Sequence, residues 1–392
     1  MPRLRFLTAG ESHGPLLTAL LEGLPAGLRV DPARVDAELA RRQHGYGRGG
    51  RMKIEKDSVR FTGGLRGGET LGGPVSLTIE NRDHAVWTAV MDPVAVDPEA
   101  AARRRLSSPR PGHADLAGGL KYGRRDLRDV LERASAREPA ARVAAGAVCR
   151  ELLLAVGVEL ASGVLSVGPV GAAEPREGWS FAALARVDDA SPFRAVDPSL
   201  EPAMTAAVDE AAKAGDTLGG TVLVAATGVP PGLGSHVSWD RKLDGRLGQA
   251  MLSIPSVKAV SIGSGVAVAS FPGSRAHDPI EWTAGRGFTR PTNRAGGLEG
   301  GITNGEDVAV TLYVKPIATL RAGLPSVDLD TKEPHRAQYE RSDVTAVPAA
   351  GVIGEAMLAF VLADALLEKT GGDSLAEVRR NLAAFLAAQE EL

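Results

Sequence analysis

The stretch from Ala349 to Leu367 is almost wholly apolar, and it constrains this chain more than any other feature. Glu355 and Asp364 interrupt it, two ionisable groups that a lipid interior disfavours. The segment therefore reads as a buried helix and not as a membrane span. The chain has 392 residues, a length that admits two or three domains or one large sheet-containing unit. No Pro/Gly/Ser-rich linker, low-complexity block or fixed-period repeat divides it, so one domain over 1–392 is expected. Met1 to Gly14 carries neither an apolar signal region nor a small-residue cleavage site, so a secretory signal is not expected. The single cysteine, Cys149, excludes an intramolecular disulfide framework and any multi-cysteine metal site. A reducing cytoplasm is the expected setting.

Helix starts are marked at Asp31-Pro32, before Ala33–Arg42, and at Asp97-Pro98-Glu99, before Ala100–Leu106. Both place aspartate at the N-cap and proline at the first helical position. Apolar periodicity predicts further helices near Pro139–Ala155, Pro202–Ala214, Asp240–Leu252, Ala349–Leu367 and Ser374–Gln389. Runs rich in β-branched residues predict strands at Val75–Ile79, Thr221–Ala225, Val257–Ile262, Val266–Ser270 and Val308–Val314. The elements mix without a strict βαβα rhythm, which favours an α+β fold with antiparallel pairing.

Net charge is only -3, which gives no sign of a nucleic-acid binder. Positive charge gathers instead in short windows, 41–51, 103–110 and 124–142. Arginine forks bind carboxylate and phosphate bidentately, so local clusters on a near-neutral chain point to a small polyanionic ligand. Glycine pairs and runs flank them, among them 45–50, 63–64, 67–68, 72–73 and 296–301, and such loops let backbone N–H groups approach an anion.

Four constellations carry candidate chemistry. Gly10-Glu11-Ser12-His13-Gly14 follows a short N-terminal strand; a histidine there, in a strand-to-helix turn, is expected to be exposed and able to exchange a proton near neutral pH. Arg41 to Met52 contains a formal G-x-G-x-x-G at Gly45, Gly47 and Gly50. A dinucleotide fingerprint leaves a strand and opens a helix, whereas here a helix precedes and a strand-like Met52–Ile54 follows, so the Rossmann reading fails. What remains is a flexible loop presenting Arg42, Arg48 and Arg51 to phosphate or carboxylate. Arg110-Pro111-Gly112-His113-Ala114-Asp115 is a rigid turn from which Arg110 and His113 reach one ligand, and Glu132 to Glu138 leads into a helix whose free N–H groups, with Ser135 and Arg137, suit an anion. The fourth group joins Lys315–Thr319, after a strand, to Arg341-Ser342-Asp343, before the apolar helix; Asp343 is a salt-bridge partner or, in a dry flavin-bearing site, a base. No HExxH, Walker A loop, G-x-S-x-G elbow or C-x-x-C occurs, so metal hydrolysis, P-loop chemistry and the commonest serine-hydrolase arrangement lack support.

Taken together these stretches resemble the chorismate synthase family. The matching segments are GESHG (10–14), RRQHGYGRGGRM (41–52), RPGHAD (110–115), KYGRRD (121–126), ERASARE (132–138), GVPPGLG (228–234), NRAGGLEGGITNG (293–305), KPIAT (315–319) and RSDVTAVPAA (341–350), in family order along nearly the whole chain. The resemblance implies a β-α-β sandwich with helices layered between antiparallel sheets, and a homotetramer. It implies a 1,4-anti elimination of phosphate from 5-enolpyruvylshikimate 3-phosphate, giving chorismate with the aid of reduced FMN. By motif, Ser12, Arg42, Arg48, Arg51 and Arg110 are implied at the substrate. Ser135, Ala136, Arg137, Pro255, Ser256, Gly300, Lys315, Pro316, Ile317, Ala318, Thr319 and Arg341 are implied at the cofactor. His13, His113 and Asp343 are implied to handle protons. Two departures stand out: Pro139 replaces the usual threonine after Arg137-Glu138, and SIPSVK (253–258) differs from the commoner forms. Proline fits a first helical turn, so fold and flavin binding are expected to survive.

The resemblance leaves open a different flavin- or phosphate-dependent enzyme on the same scaffold, for instance one that reduces its own flavin. With no extra domain for that task, an external flavin-reducing system is expected. A nucleic-acid module built on the arginine loops is the reading from another class; near-neutral charge and 4% aromatic content speak against it.

Overall fold

The computed structural model describes residues 4–50, 56–175, 177–285, 287–340 and 342–389. In chain order, the N-terminal part contains β1 (Arg5–Ala9), β2 (Leu16–Glu22), α1 (Pro32–Gln43), β3 (Val59–Gly63) and β4 (Val75–Glu80). Then come α2 (Pro98–Arg104), α3 (Asp115–Tyr122), α4 (Arg128–Ala134) and α5 (Pro139–Leu154). Next are β5 (Glu159–Val167), β6 (Val170–Gly171), α6 (Glu201–Ala214), β7 (Gly220–Thr227), α7 (Leu243–Leu252) and β8 (Val257–Ile262). The chain closes with β9 (Val308–Val314), α8 (Val347–Thr370) and α9 (Leu375–Gln389).

Two antiparallel sheets enclose a helical layer. One has the order β1-β2-β4-β3, the other β8-β9-β7-β5-β6. The first sheet alternates: Leu17, Ala19 and Leu21 of β2 and Val75, Leu77 and Ile79 of β4 point inward, while Leu16 and Leu20 stay exposed. The second sheet is covered on both faces, so Leu160–Val167 and Thr221–Ala226 read as unbroken buried runs. Its outer face is closed by Phe181 and Leu184, packed with Trp179 and Val196. Between the sheets lie α1, α5 and α8. A Cβ on Gly146 of α5 would stand 2.5 Å from the Cα of Ala356, so these two helices meet almost backbone to backbone.

The apolar stretch is thus the central helix, and nearly every residue of α8 is buried. Its two carboxylates are satisfied from other elements. Glu355 accepts both guanidinium nitrogens of Arg41 at 2.9 Å, with Arg150, Arg194 and Ser162 beside it, and Asp364 pairs with Arg246 and accepts from the Leu4 N–H. Asp31 accepts from Ala33 N, and Asp97 from Glu99 N and Ala100 N, as helix caps should. Pro139 occupies the first turn of α5.

Three expectations are corrected. Val266–Ser270 is no strand but part of a short 3-10 helix, because the positive-φ glycines Gly263 and Gly265 turn the chain after β8. The helix expected from Asp240 begins at Leu243, after a separate 3-10 turn at Trp239–Arg241. The 10–14 loop joins strand to strand, β1 to β2, instead of strand to helix. The Met52–Ile54 segment, with Arg51, lies outside the described residues.

Candidate functional site

The 10–14 loop crosses the end of the first sheet and is clamped from three directions. Asn81, just past β4, donates to the carbonyls of Glu11 (3.0 Å) and Gly14 (2.8 Å). Ser12 N donates to the Glu132 carbonyl, and Ser135 Oγ donates to Ser12 Oγ at 3.0 Å. His13 is buried, 9% exposed, where the sequence predicted an exposed loop histidine; tertiary packing from α4 covers it. Its Nδ1 lies 2.8 Å from Glu132 Oε1, and its ring stacks on Trp87 at 4.1 Å.

Asn81 also links this loop to a buried arginine cluster. Arg137 donates to Asn81 Oδ1 at 2.7 Å and to Asp57 Oδ1 at 2.6 Å, and Arg42 donates to Asp57 Oδ2 at 2.8 Å. One carboxylate thereby holds two guanidinium groups in the protein interior. Burial lowers the Arg42 pKa; attraction to Asp57 opposes this, and repulsion from Arg137 and Arg48 adds to it. Arg42 Nε is buried without a hydrogen-bond partner among the described residues. Asp57 is pushed up by burial yet held below its ordinary value by the two arginines. Arg48, on the 44–50 loop, pairs with Asp343 at 2.7 Å, and Gly49 N donates to the same carboxylate at 2.6 Å. Guanidinium groups gathered in a partly desolvated place suit an anion.

The 110–115 turn forms a second group. Arg110 donates from Nε to Asp115 at 2.8 Å and from Nη1 to Thr319 at 2.7 Å, and His113 Nδ1 lies 2.6 Å from Asp115. The guanidinium of Arg110 is thus engaged in holding the turn and its histidine. Burial raises the Asp115 carboxyl, but bonds from His113 and Arg110 win and keep it well below its usual range. Lys315 Nζ donates to the Gly112 carbonyl at 2.8 Å, so the 315–319 segment docks on this turn, and Ile317 O accepts from Thr217. Pro316 is exposed and Ala318 half-buried. Burial, then repulsion from Lys258, lowers the Lys315 pKa. Ser256, with φ +70°, accepts from Lys315 N, which places Pro255 and Ser256 beside the same segment.

A cavity of about 470 Å³ lies next to both groups, adjoining the first through Ser135, which bonds Ser12, and the second through Pro255, beside Ser256. Ser135 and Pro255 line it, with Arg133, Arg142, Glu138, Thr8 and Ser253 as polar walls, Arg142 being paired with Glu138 at 2.9 Å, and Phe6, Leu7, Ala134 and Met357 as apolar ones. Its size falls in the range of small-molecule sites, and its walls mix apolar, hydroxyl and charged side chains. Ala136 is exposed in the turn before α5. Gly300 sits exposed at the tip of the Leu298–Thr303 hairpin beside His236, and touches neither group among the described residues. Arg341 lies outside the described residues, as does Arg51.

The structure therefore brings Ser12, His13, Arg42 and Arg137 into one network through Asn81 and Asp57, with the Arg48–Asp343 pair close enough for Arg48 to repel the Arg42 charge. His113, Arg110 and Lys315–Thr319 form a second. The α3–α4 pair connects them, for α3 starts at Asp115, Gly118 meets Val130, and α4 carries Glu132. Sequence reasoning missed Asp57, Asn81 and Trp87 altogether and gave Glu132 and Asp115 no role. The spacing of Arg128 and Glu132, one helical turn apart, was the one local signal for Glu132; Asp57 had none.

Fold and site together define a class: a helix-filled, two-sheet sandwich with an arginine cluster flanked by histidine–carboxylate pairs. Comparison with known proteins agrees on one family. The family model "Chorismate synthase" matches residues 4–367. The chorismate synthase of Moorella thermoacetica is 56% identical, over 99% of this chain and 100% of that protein. That of Symbiobacterium thermophilum is 55% identical over 98% of each. A crystal structure of chorismate synthase superposes with a TM-score of 0.81 at 41% identity, covering 100% of both chains. The chain belongs to the chorismate synthase family.

Proposed function

We propose that the protein is a lyase converting 5-enolpyruvylshikimate 3-phosphate to chorismate and phosphate, by 1,4-anti elimination, with reduced FMN as cofactor. The observation that carries this reading is the pair of buried arginines, Arg42 and Arg137, on Asp57, with the half-buried Arg48–Asp343 pair near them and Asn81 joining Arg137 to the 11–14 loop that carries Ser12 and His13. A substrate bearing two carboxylates and a phosphate, beside a cofactor with its own phosphate, needs several cations held apart by carboxylates, and Arg42 and Arg48 for the one and Arg137 for the other supply them. Membership of the family and near-complete coverage of its relatives support the same reading.

Within it, Arg42, Arg48, Arg51 and Ser12 bind the substrate anions, and Arg110 acts from behind by setting His113. Ser135, Ala136, Arg137, Pro255, Ser256, Gly300, Lys315–Thr319 and Arg341 hold the flavin; the position of Ser135 and Pro255 on the cavity wall supports this reading. The reduced flavin supplies transient electron density as the allylic C–O bond breaks, with no net redox change. His13 offers a proton to the departing phosphate, and the half-buried His113 steadies the negative charge of the reduced flavin. Asp343 accepts a proton at its carboxylate. Each such role contributes on the order of 10²–10⁴-fold.

We read the whole chain as one chorismate synthase-like unit that works as a homotetramer in the cytoplasm, taking reduced flavin from an external system. The test is chorismate release from the phosphorylated substrate, under anaerobic conditions, with dithionite-reduced FMN. Product without NADPH is expected; no product from folded protein overturns the reading, and turnover on NADPH with oxidised FMN shows a bifunctional enzyme instead.

A further inference from the structure

We propose that Glu132 is a positioning residue that fixes the tautomer of His13, holding Nδ1–H and leaving Nε2 as the nitrogen that exchanges protons with the ligand. The proposal rests on the reading of His13 as a proton-handling residue and adds a group to which no role has been given. The Glu132 carboxylate receives two bonds from one residue: the His13 backbone N–H at 2.8 Å and the ring Nδ1 at 2.8 and 3.0 Å from its two oxygens. An ionised carboxylate only accepts, so Nδ1 must carry the hydrogen. Glu132 is itself 2% exposed and backed by Arg128 at 3.1 Å, so it is shielded from substrate and acts through the imidazole.

The ring has little freedom to turn over. One face stacks on Trp87 at an interplanar angle of 27°, and Arg104 and Arg128 lie over the Trp87 ring at 4.4 and 4.9 Å. His84 hydrogen-bonds the His13 carbonyl at 2.8 Å. Asp83 Oδ2 faces Nε2 at 3.9 Å, too far for a hydrogen bond and close enough to attract a proton carried there. The Glu132 bond and the Trp87 stack thus hold the ring with Nδ1 toward Glu132, His84 steadies its backbone, and Nε2 is left for proton transfer. A histidine oriented by a carboxylate behind it is a recurrent way to set tautomer and aim together.

The test uses the full-length protein with ¹⁵N-labelled histidine, assigned with His13→Gln. In the parent, the neutral His13 ring is expected to show a protonated Nδ1 and an unprotonated Nε2. In Glu132→Gln, whose amide can present either oxygen or N–H₂ to the ring, both tautomers are expected. There kcat should fall by about 10²-fold while KM and the FMN Kd move by less than about threefold; Glu132→Asp, which keeps the carboxylate, returns part of kcat. A role in packing alone lowers Tm and leaves the tautomer unchanged. A parent with its proton on Nε2, or a Glu132→Gln variant with full kcat, overturns the proposal. The parent spectrum decides it even where the variant fails to fold. Absence of chorismate from the parent would overturn the lyase reading instead, and the tautomer measurement would stand apart from it.

Discussion

His13 takes its carboxylate from a residue 119 positions away, whereas His113 takes one from two positions along its own turn. The first loop is buried, stacked on Trp87, and tied through Asn81 and Arg137 to a carboxylate beneath α1. The second is half-buried and self-supporting: Arg110, His113 and Asp115 bond one another within six residues, and the rest of the protein adds Thr319 and Lys315. The geometry of the long-range loop thus depends on global packing. The local turn carries most of its geometry with it.

The sharpest way to separate the two is Asp57→Ala. It leaves Arg42 and Arg137 buried without their shared counter-charge, and breaking a buried pair from one side costs about 3–5 kcal/mol. Urea unfolding should show that loss, and hydrogen exchange should quicken at residues 12–14 more than at 110–115. Equal loosening of both loops would break the contrast.

Next in size come matched glycine changes. Gly10 has φ +107°, and a Cβ there would stand 2.4 Å from the Leu16 carbonyl oxygen and 3.0 Å from the Leu17 Cα. Gly112, at φ +78°, would place its Cβ 3.5 Å from the mobile end of Lys315. Gly10→Ala therefore combines strain with backbone collision, roughly 2–5 kcal/mol, and Gly112→Ala strain alone, about 1–2 kcal/mol. Thermal unfolding of the two variants measures the gap, and a larger loss from Gly112→Ala would reverse the assignment.

Acid titration probes the carboxylates on both sides. Asp57, Asp115 and Glu132 are raised by burial but brought below their ordinary values by their cationic partners, and the same balance holds Glu355 at about 2. A depressed folded pKa gives stability that is full above the unfolded value and is lost as pH falls through the folded one. Tm should be flat from pH 7 to about 5 and decline from roughly 4.5 towards 2. Loss of exchange protection in the 110–115 turn already between pH 7 and about 5, after allowance for the intrinsic base catalysis of amide exchange, would show that Asp115 does not hold it.

Pro139→Thr is expected to have the smallest effect. Proline already sits at the start of α5, where the missing N–H has no helical partner to lose, so stability should move by less than about 0.5 kcal/mol. FMN affinity and activity should stay the same or rise modestly. A parent that cannot bind FMN, with binding restored by threonine, would show that residue 139 governs the site.

Much of the architecture was legible because its causes are local. Asp31-Pro32 and Asp97-Pro98 announce their helices through caps formed by neighbours two or three residues on. The apolar run of α8 marks the core helix, and the ordered motifs identify the family. Val266–Ser270 misled because β-branched residues satisfy strand composition without supplying a ladder partner, and glycines at 263 and 265 set the backbone instead. Both arginine loops were visible as charge, but which guanidinium meets Asp57, which meets Asp343, and which is engaged by Asp115 was not.

The sequence alone determined the buried helix, the capped starts, the self-contained turn around His113 and the family motifs, since each rests on residues close enough in the chain to interact whatever the rest does. Only the tertiary structure decided that His13 is buried against Trp87, that Glu132 stands behind it, and that Asp57 joins Arg42 to Arg137. Those contacts join residues 15 to 119 positions apart, and they exist because two sheets closing on one helical layer force polar groups at its edge to find partners across it.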